Sequence, residues 1–152
     1  MSFQATIDQD IKSAMLAREA AKLNVLRMLK SSLMNAAIEK GGAGTQLDDL
    51  EAMAIVRREI KKRHDSIESF EKGGRPEMAE TERSEIAVLT AYLPQQLTAD
   101  QIEVLVAGAI AEAGATTRQQ MGVVMKIVNA KAAGQADGKS LSAEVQKQLS
   151  GI

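Results

Sequence analysis

A chain of 152 residues can bury one ordinary core or two small ones, and 45% apolar with 26% charged residues is typical of a folded globular protein. The absence of cysteine excludes thiol catalysis, disulfides and cysteine-ligated zinc. With 19 basic and 20 acidic residues there is no global attraction to nucleic acid, so any such binding must come from a local patch.

The composition favours helix from end to end. There are only two prolines, very few aromatic residues and eight methionines, and no segment alternates polar with β-branched residues as a strand would. We therefore predict an all-α protein, with an N-terminal four-helix unit followed by a small three-helix C-terminal domain.

The first two helices are predicted from apolar residues that recur at helical spacing over residues 7–40, with a polar break at Arg18 and Glu19. The glycines Gly41 and Gly42 end the second helix, because glycine is a poor helix former and opens a flexible loop.

The third and fourth helices are predicted from their start and stop signals. Asp48 and Asp49 suit the positive end of a helix that runs to about Lys72. Pro76 is tolerated at a first helical position, which predicts a fourth helix to about Tyr92. Its predicted buried side consists of Met78, Ile86, Leu89 and Leu93.

Pro94 marks the predicted domain boundary, because a helix seldom continues through the residue before a proline. The predicted domains are residues 1–93 and 94–152. Thr98 with Gln101 forms a capping box for a helix over residues 99–113, Thr117 with Gln120 repeats that pattern, and a last helix begins after Asp137.

A basic face is predicted on the third helix. At 100° per residue, Arg57, Arg58, Lys61 and Lys62 fall on one arc, opposite an apolar side. This arc is either a ridge that contacts phosphates or a solvated surface with local ion pairs such as Lys61 with Asp65. Arg63 projects onto the apolar side, so it either snorkels outward or pairs with a carboxylate of another helix.

A helical corner near the C-terminus carries three lysines that could meet phosphates. They are Lys126, Lys131 and Lys139. Four other residues are predicted to shape the corner as turn or cap positions: Gly122 by permitting close approach of a neighbouring backbone, Gly134 by a left-handed conformation, Asp137 as an N-cap, and Gly138 beside it.

No catalytic residue, metal site or cofactor is predicted. His64 is the only histidine and has no second ligand or nucleophile at recognisable spacing, and the chain lacks a phosphate loop, a dinucleotide fingerprint and a nucleophile elbow. The beginning of the sequence shows no basic and apolar leader, and no run reaches the ~18 apolar residues that a membrane span needs. These features predict a cytoplasmic protein without a membrane partner.

Several sequence blocks resemble the GatB/YqeY family, in which free-standing YqeY proteins share a domain with the tail of the GatB subunit of tRNA-dependent amidotransferases. The blocks are MGVVMK at residues 121–126, GQADGK at residues 134–139, VLRMLK at residues 25–30, EK at residues 39–40, REIKKRHDSIE at residues 58–68 and AYLPQQL at residues 91–97. The resemblance implies the same order of an N-terminal helical domain and a GatB-tail-like helical domain.

The resemblance implies a tRNA-binding accessory module that is not catalytic by itself, with tRNA as the partner. Two alternatives remain open: a protein-interaction module that docks on an aminoacyl-tRNA synthetase or amidotransferase, and a carbon–nitrogen ligase with glutamine as amido-N-donor. The ligase reading lacks a cysteine nucleophile or a recognisable amidase serine motif in this sequence.

Overall fold

Seven α-helices and one short 3₁₀ turn form the part of the chain that the computed structural model describes, residues 2–151. In chain order they are α1 Phe3–Leu16, α2 Ala20–Gly41, α3 Asp49–Lys72, α4 Pro76–Thr90, α5 Ala99–Ala113, the 3₁₀ turn Arg118–Gln120, α6 Met121–Ala132 and α7 Gly138–Ser150. These described residues contain no strand. The prediction of an all-α protein is confirmed.

The helices group into two compact units, Met1–Leu93 and Pro94–Ile152. In the first unit α3 packs against α4, and α2 packs against α1, α3 and α4. Its core contains the buried side chains Ile7, Val25, Leu29, Leu33, Val56 and Leu89. Met78 was expected on the buried side of α4 but is 38% exposed, because its neighbour Ala79 takes the inward direction and leaves Met78 rotated by one 100° step.

An ion pair is buried inside the first unit. Arg63 Nη1 on α3 lies 3.2 Å from Glu59 Oε2 one turn earlier, and Arg63 Nε lies 3.2 Å from Glu85 Oε2 on α4. Ser32 on α2 donates a hydrogen bond of 3.0 Å to Glu59 Oε1. Glu59 and Arg63 are only 6% and 5% exposed. Of the two alternatives for Arg63, pairing with a carboxylate of another helix is the one found.

The environment of Glu59 favours its charged form. Burial raises the pKa of its carboxyl, but hydrogen bonds from Ser32, Lys62 and Arg63 outweigh burial and hold that pKa below its ordinary value. The pair therefore stabilises the packing of α2, α3 and α4 only while Glu59 is ionised.

The second unit has its own core, built from α5, α6 and α7. Leu141, Val145 and Leu149 lie four residues apart on α7, so they form one buried stripe along that helix. The Leu97 N–H donates a 2.8 Å hydrogen bond to the carbonyl of Gln135, which connects the start of this unit to the turn between α6 and α7. This bond helps to fix the turn on which two of the predicted site residues, Gly134 and Asp137, lie.

Candidate nucleic-acid interface

The turn between α6 and α7 depends on two residues with positive φ. Ala133 has φ +46° and Gly134, which is buried, has φ +82°. Glycine takes such a φ without strain, whereas most residues do not. Asp137 is the N-cap of α7 and accepts a hydrogen bond from the Ser140 N–H at 3.4 Å, and Gly138 begins the helix. We call this fixed arrangement the α6–α7 corner.

Gly122 does not have the role that the sequence suggested. It lies exposed in the first turn of α6, and a Cβ placed there meets no atom within 4 Å, so no neighbouring backbone approaches it. Val124 points into the core, and two residues of helix turn Gly122 about 200° away from it. The expected close approach is therefore wrong. Gly138 also faces open space.

We expect Gly122→Ala to raise the free energy of unfolding slightly, by about 0.5 kcal/mol, because alanine is the better helix former and meets no obstacle. The matched change Gly134→Ala is expected to lower it by about 1 kcal/mol or more, because φ +82° strains an L-residue. Urea denaturation followed by circular dichroism measures both. A destabilising Gly122→Ala would show that something packs against this position.

The three lysines of the corner differ in how far their charge is already neutralised. Lys131 Nζ lies 2.8 Å from Glu112 Oε2 on α5, so its charge is paired. Lys126 and Lys139 are exposed, and neither forms an ion pair with any residue in the range 2–151. Lys126 and Lys139 therefore offer unpaired positive charge to a ligand, whereas Lys131 must first break its ion pair with Glu112.

The charges of the second unit are segregated along the chain. Residues 94–117 contain three acidic and no basic residues, whereas residues 118–152 contain five basic and only two acidic residues. The basic residues are Arg118, Lys126, Lys131, Lys139 and Lys147. The 3₁₀ turn, α6 and α7 together thus carry a local positive excess, although the unit as a whole is neutral. A local field of this kind attracts polyanions irrespective of net charge.

Sequence reasoning missed Arg118 and Lys147. They line two adjoining clefts of about 460 and 480 Å³ that share Arg118, Leu149 and Ser150. None of the ten residues that line the two clefts is acidic. Counting charge helix by helix, rather than over the whole chain, is the signal that would have indicated these residues. We call this feature the Arg118 cleft.

The predicted basic face of α3 lies in the first unit, apart in the chain from the lysines of the corner. Arg58 and Lys61 are exposed and form no ion pair within the described residues, and Lys61 does not pair with Asp65. Lys62 Nζ lies 3.3 Å from Glu59 Oε1 and so belongs to the buried network. Arg57 is only half exposed. The face therefore presents fewer available charges than its sequence suggested.

Within residues 2–151, no three histidine, aspartate or glutamate side chains converge as ligands for a metal ion. His64 is an exposed residue of α3. None of the helices in that range combines the length and the apolar character needed to cross a membrane.

The family model described as "Yqey-like protein" matches residues 4–149. The chain belongs to the Yqey-like protein family. The match extends through both units and includes all of α2 to α6 and all but one terminal residue each of α1 and α7.

Curated relatives include three fungal proteins that share one name, "Altered inheritance of mitochondria protein 41, mitochondrial". The one from Lachancea thermotolerans is 33% identical over 100 residues, 66% of this chain and 52% of the relative. The one from Eremothecium gossypii is 30% identical over 89 residues, 59% of this chain and 48% of the relative. The one from Pyrenophora tritici-repentis is 25% identical over 146 residues, 93% of this chain and 77% of the relative. The chain thus spans about half the length of the first two relatives.

The prediction of a cytoplasmic protein is wrong on this comparison, because these relatives are named as mitochondrial proteins. The prediction was based on the absence of a basic and apolar leader at the start of the sequence. Mitochondrial transit peptides have another pattern, amphipathic and rich in arginine and serine, which a search for a basic and apolar leader does not detect.

Proposed function

We propose that the second unit binds tRNA and that the protein acts as an accessory module without catalytic activity of its own. The observation that carries the proposal is the segregation of charge: five basic and two acidic residues follow position 117, on a unit whose preceding segment is acidic. The resemblance of residues 121–126 and 134–139 to the GatB tail gives tRNA as the nucleic acid.

The chemistry of the surface favours recognition of shape and backbone. Residues 94–152 contain no aromatic side chain that could stack on an unpaired base, since Phe3, Phe70 and Tyr92 all precede them. Lysines at fixed positions on rigid helices can instead contact phosphates along a folded RNA. Gly122 and Gly138 leave the backbone at the starts of α6 and α7 uncovered, so a ligand can approach closely there.

We expect labelled total tRNA to bind the purified protein saturably and more weakly as salt rises. The double variant Lys126→Ala/Lys139→Ala should weaken binding and reduce the slope of log affinity against log salt by about 0.7–0.9 per lost phosphate contact. Lys131→Ala should change binding less, because that lysine is paired with Glu112. The matched control is Arg58→Ala/Lys61→Ala in the first unit.

No binding by the wild type at low salt would refute the proposal for the isolated protein. Equal binding by the wild type and by Lys126→Ala/Lys139→Ala would refute the assigned surface. If only Arg58→Ala/Lys61→Ala loses tRNA binding, the interface is the basic face of α3 and not the corner.

A protein partner is a second candidate, which one observation favours. Val104 on α5 is 74% exposed, in a segment with acidic residues and no basic residue. Such a surface suits a protein rather than an RNA. An aminoacyl-tRNA synthetase or an amidotransferase would be the partner. The test is co-purification of such a partner with the protein after nuclease treatment, and the partner should be lost in Val104→Asp.

The proposal does not extend to ligase activity, for which the chain has no cysteine nucleophile.

A further inference from the structure

Arg118 is oriented by a hydroxyl group instead of a carboxylate. Its Nε and Nη2 atoms both donate to Ser150 Oγ, at 3.0 and 2.5 Å. Ser150 Oγ in turn donates to the Gln146 carbonyl at 2.6 Å. A neutral partner fixes the guanidinium without reducing its positive charge, whereas Arg63 and Arg83 in the first unit are both paired with glutamates.

The donor geometry of Arg118 leaves a binding edge unused. Nη1 donates to no residue of the range 2–151. A guanidinium that is already held in place loses little side-chain entropy when it binds, and its planar fork matches two oxygens of a phosphate.

The residues that line the Arg118 cleft add positive charge and polar groups and include no Asp or Glu. Lys147 lines the first of the two adjoining clefts, one turn before Ser150, and Thr116 and Thr117 line the second. The Gln120 side chain accepts from the Thr116 and Thr117 N–H groups, at 2.6 and 3.2 Å, which holds that loop in place. Two cations with no carboxylate in the lining form a site for an anion.

We infer that the Arg118 cleft is a phosphate-binding subsite, in which Arg118 is the oriented contact and Lys147 the second cation. The inference rests on the proposed function only where it identifies the bound phosphate as a backbone phosphate of an RNA. A free phosphate group satisfies the same chemistry. If the ligand is RNA, its backbone contacts Lys126, Lys139 near the start of α7, and the Arg118 cleft at the end of α7.

The test titrates ¹⁵N-labelled protein with inorganic phosphate at constant ionic strength, with chloride as the reference salt. Saturable amide shifts are expected at residues 116–119 and 146–150 and should be lost in Arg118→Gln. Lys147→Gln should weaken them, and it removes an exposed side chain with no ion pair, so folding is preserved. Arg118→Lys keeps the charge but not the two bonds to Ser150, so weakened binding there shows that orientation matters. Lys126→Ala is the matched control and should leave the shifts unchanged.

A parallel titration with total tRNA separates this inference from the proposed function. If tRNA binds the wild type and Arg118→Gln/Lys147→Gln equally well, with unchanged salt slope, and phosphate gives no local shifts, the inference fails and the tRNA proposal stands. If phosphate shifts these amides but tRNA does not bind, the subsite stands for a free phosphate and the tRNA proposal fails. A loss of about 1–2 units of salt slope in the double variant supports both.

Discussion

Replacing Arg63 by methionine is expected to lower the free energy of unfolding of the first unit by about 3 kcal/mol, the lower end of what breaking a buried ion pair costs. Methionine keeps the apolar stem, but it leaves the Glu59 carboxylate buried with only Ser32 and Lys62 to compensate its charge. Glu85 is partly exposed and can turn to water, so most of the loss falls on Glu59.

Urea denaturation followed by tyrosine fluorescence measures this loss. Tyr92 is the only tyrosine, there is no tryptophan, and Tyr92 lies in the first unit, where its hydroxyl donates to Asp10 at 2.5 Å. The exposed neighbour Lys61, replaced by alanine, is the control and should change stability by less than about 0.5 kcal/mol. The double variant Glu59→Gln/Arg63→Met should recover part of the loss, since no charge then remains buried without its partner.

Acidification should reduce the difference in the free energy of unfolding between the wild type and Arg63→Met. The pKa of Glu59 is lowered in the folded protein, so the unfolded chain binds its proton first and stability falls as the pH drops. The contribution is complete above the unfolded pKa, near 4.5, and is lost as the pH falls through the lower folded value. A difference in the free energy of unfolding that stays constant from pH 7 to pH 3 would show that Arg63 acts through packing instead of charge.

The helix boundaries follow from short-range signals, which explains why they could be predicted. Asp48 caps α3 through the Glu51 N–H, and Thr98 with Gln101 forms the capping box of α5. The residues that fix each boundary lie within three positions of one another, so the sequence contains the whole interaction.

The candidate site is less predictable, because its decisive contacts join residues far apart in the chain. Lys131 meets Glu112 across two helices, and Arg118 meets Ser150, 32 residues later. Spacing along one helix cannot show that Lys131 is neutralised or that Arg118 is held in place. At Gly122 the sequence suggested a contact that is not present: its small size predicted close packing, but the position faces open space.

Truncating Leu141 to alanine is expected to have the largest effect in the second unit, about 2–5 kcal/mol. Leu141 is 2% exposed in the first full turn of α7 and belongs to the core that joins α5, α6 and α7. A core in a unit of this size rarely supplies more than ~3–5 kcal/mol, so this one change should unfold a large fraction of the unit. Amide hydrogen exchange over residues 99–150 measures the loss, with exposed Ser140→Ala as the control.

The same variant also decides whether the proposed RNA surface depends on the fold or only on charge. Leu141→Ala removes no cation, yet it releases the corner that sets the positions of Lys126 and Lys139 and the cleft that holds Arg118. Loss of tRNA binding together with amide protection would mean that the helices must present these charges in fixed geometry. Undiminished and equally salt-dependent binding by an unprotected second unit would mean that a basic segment suffices, and it would contradict recognition of RNA shape by this surface.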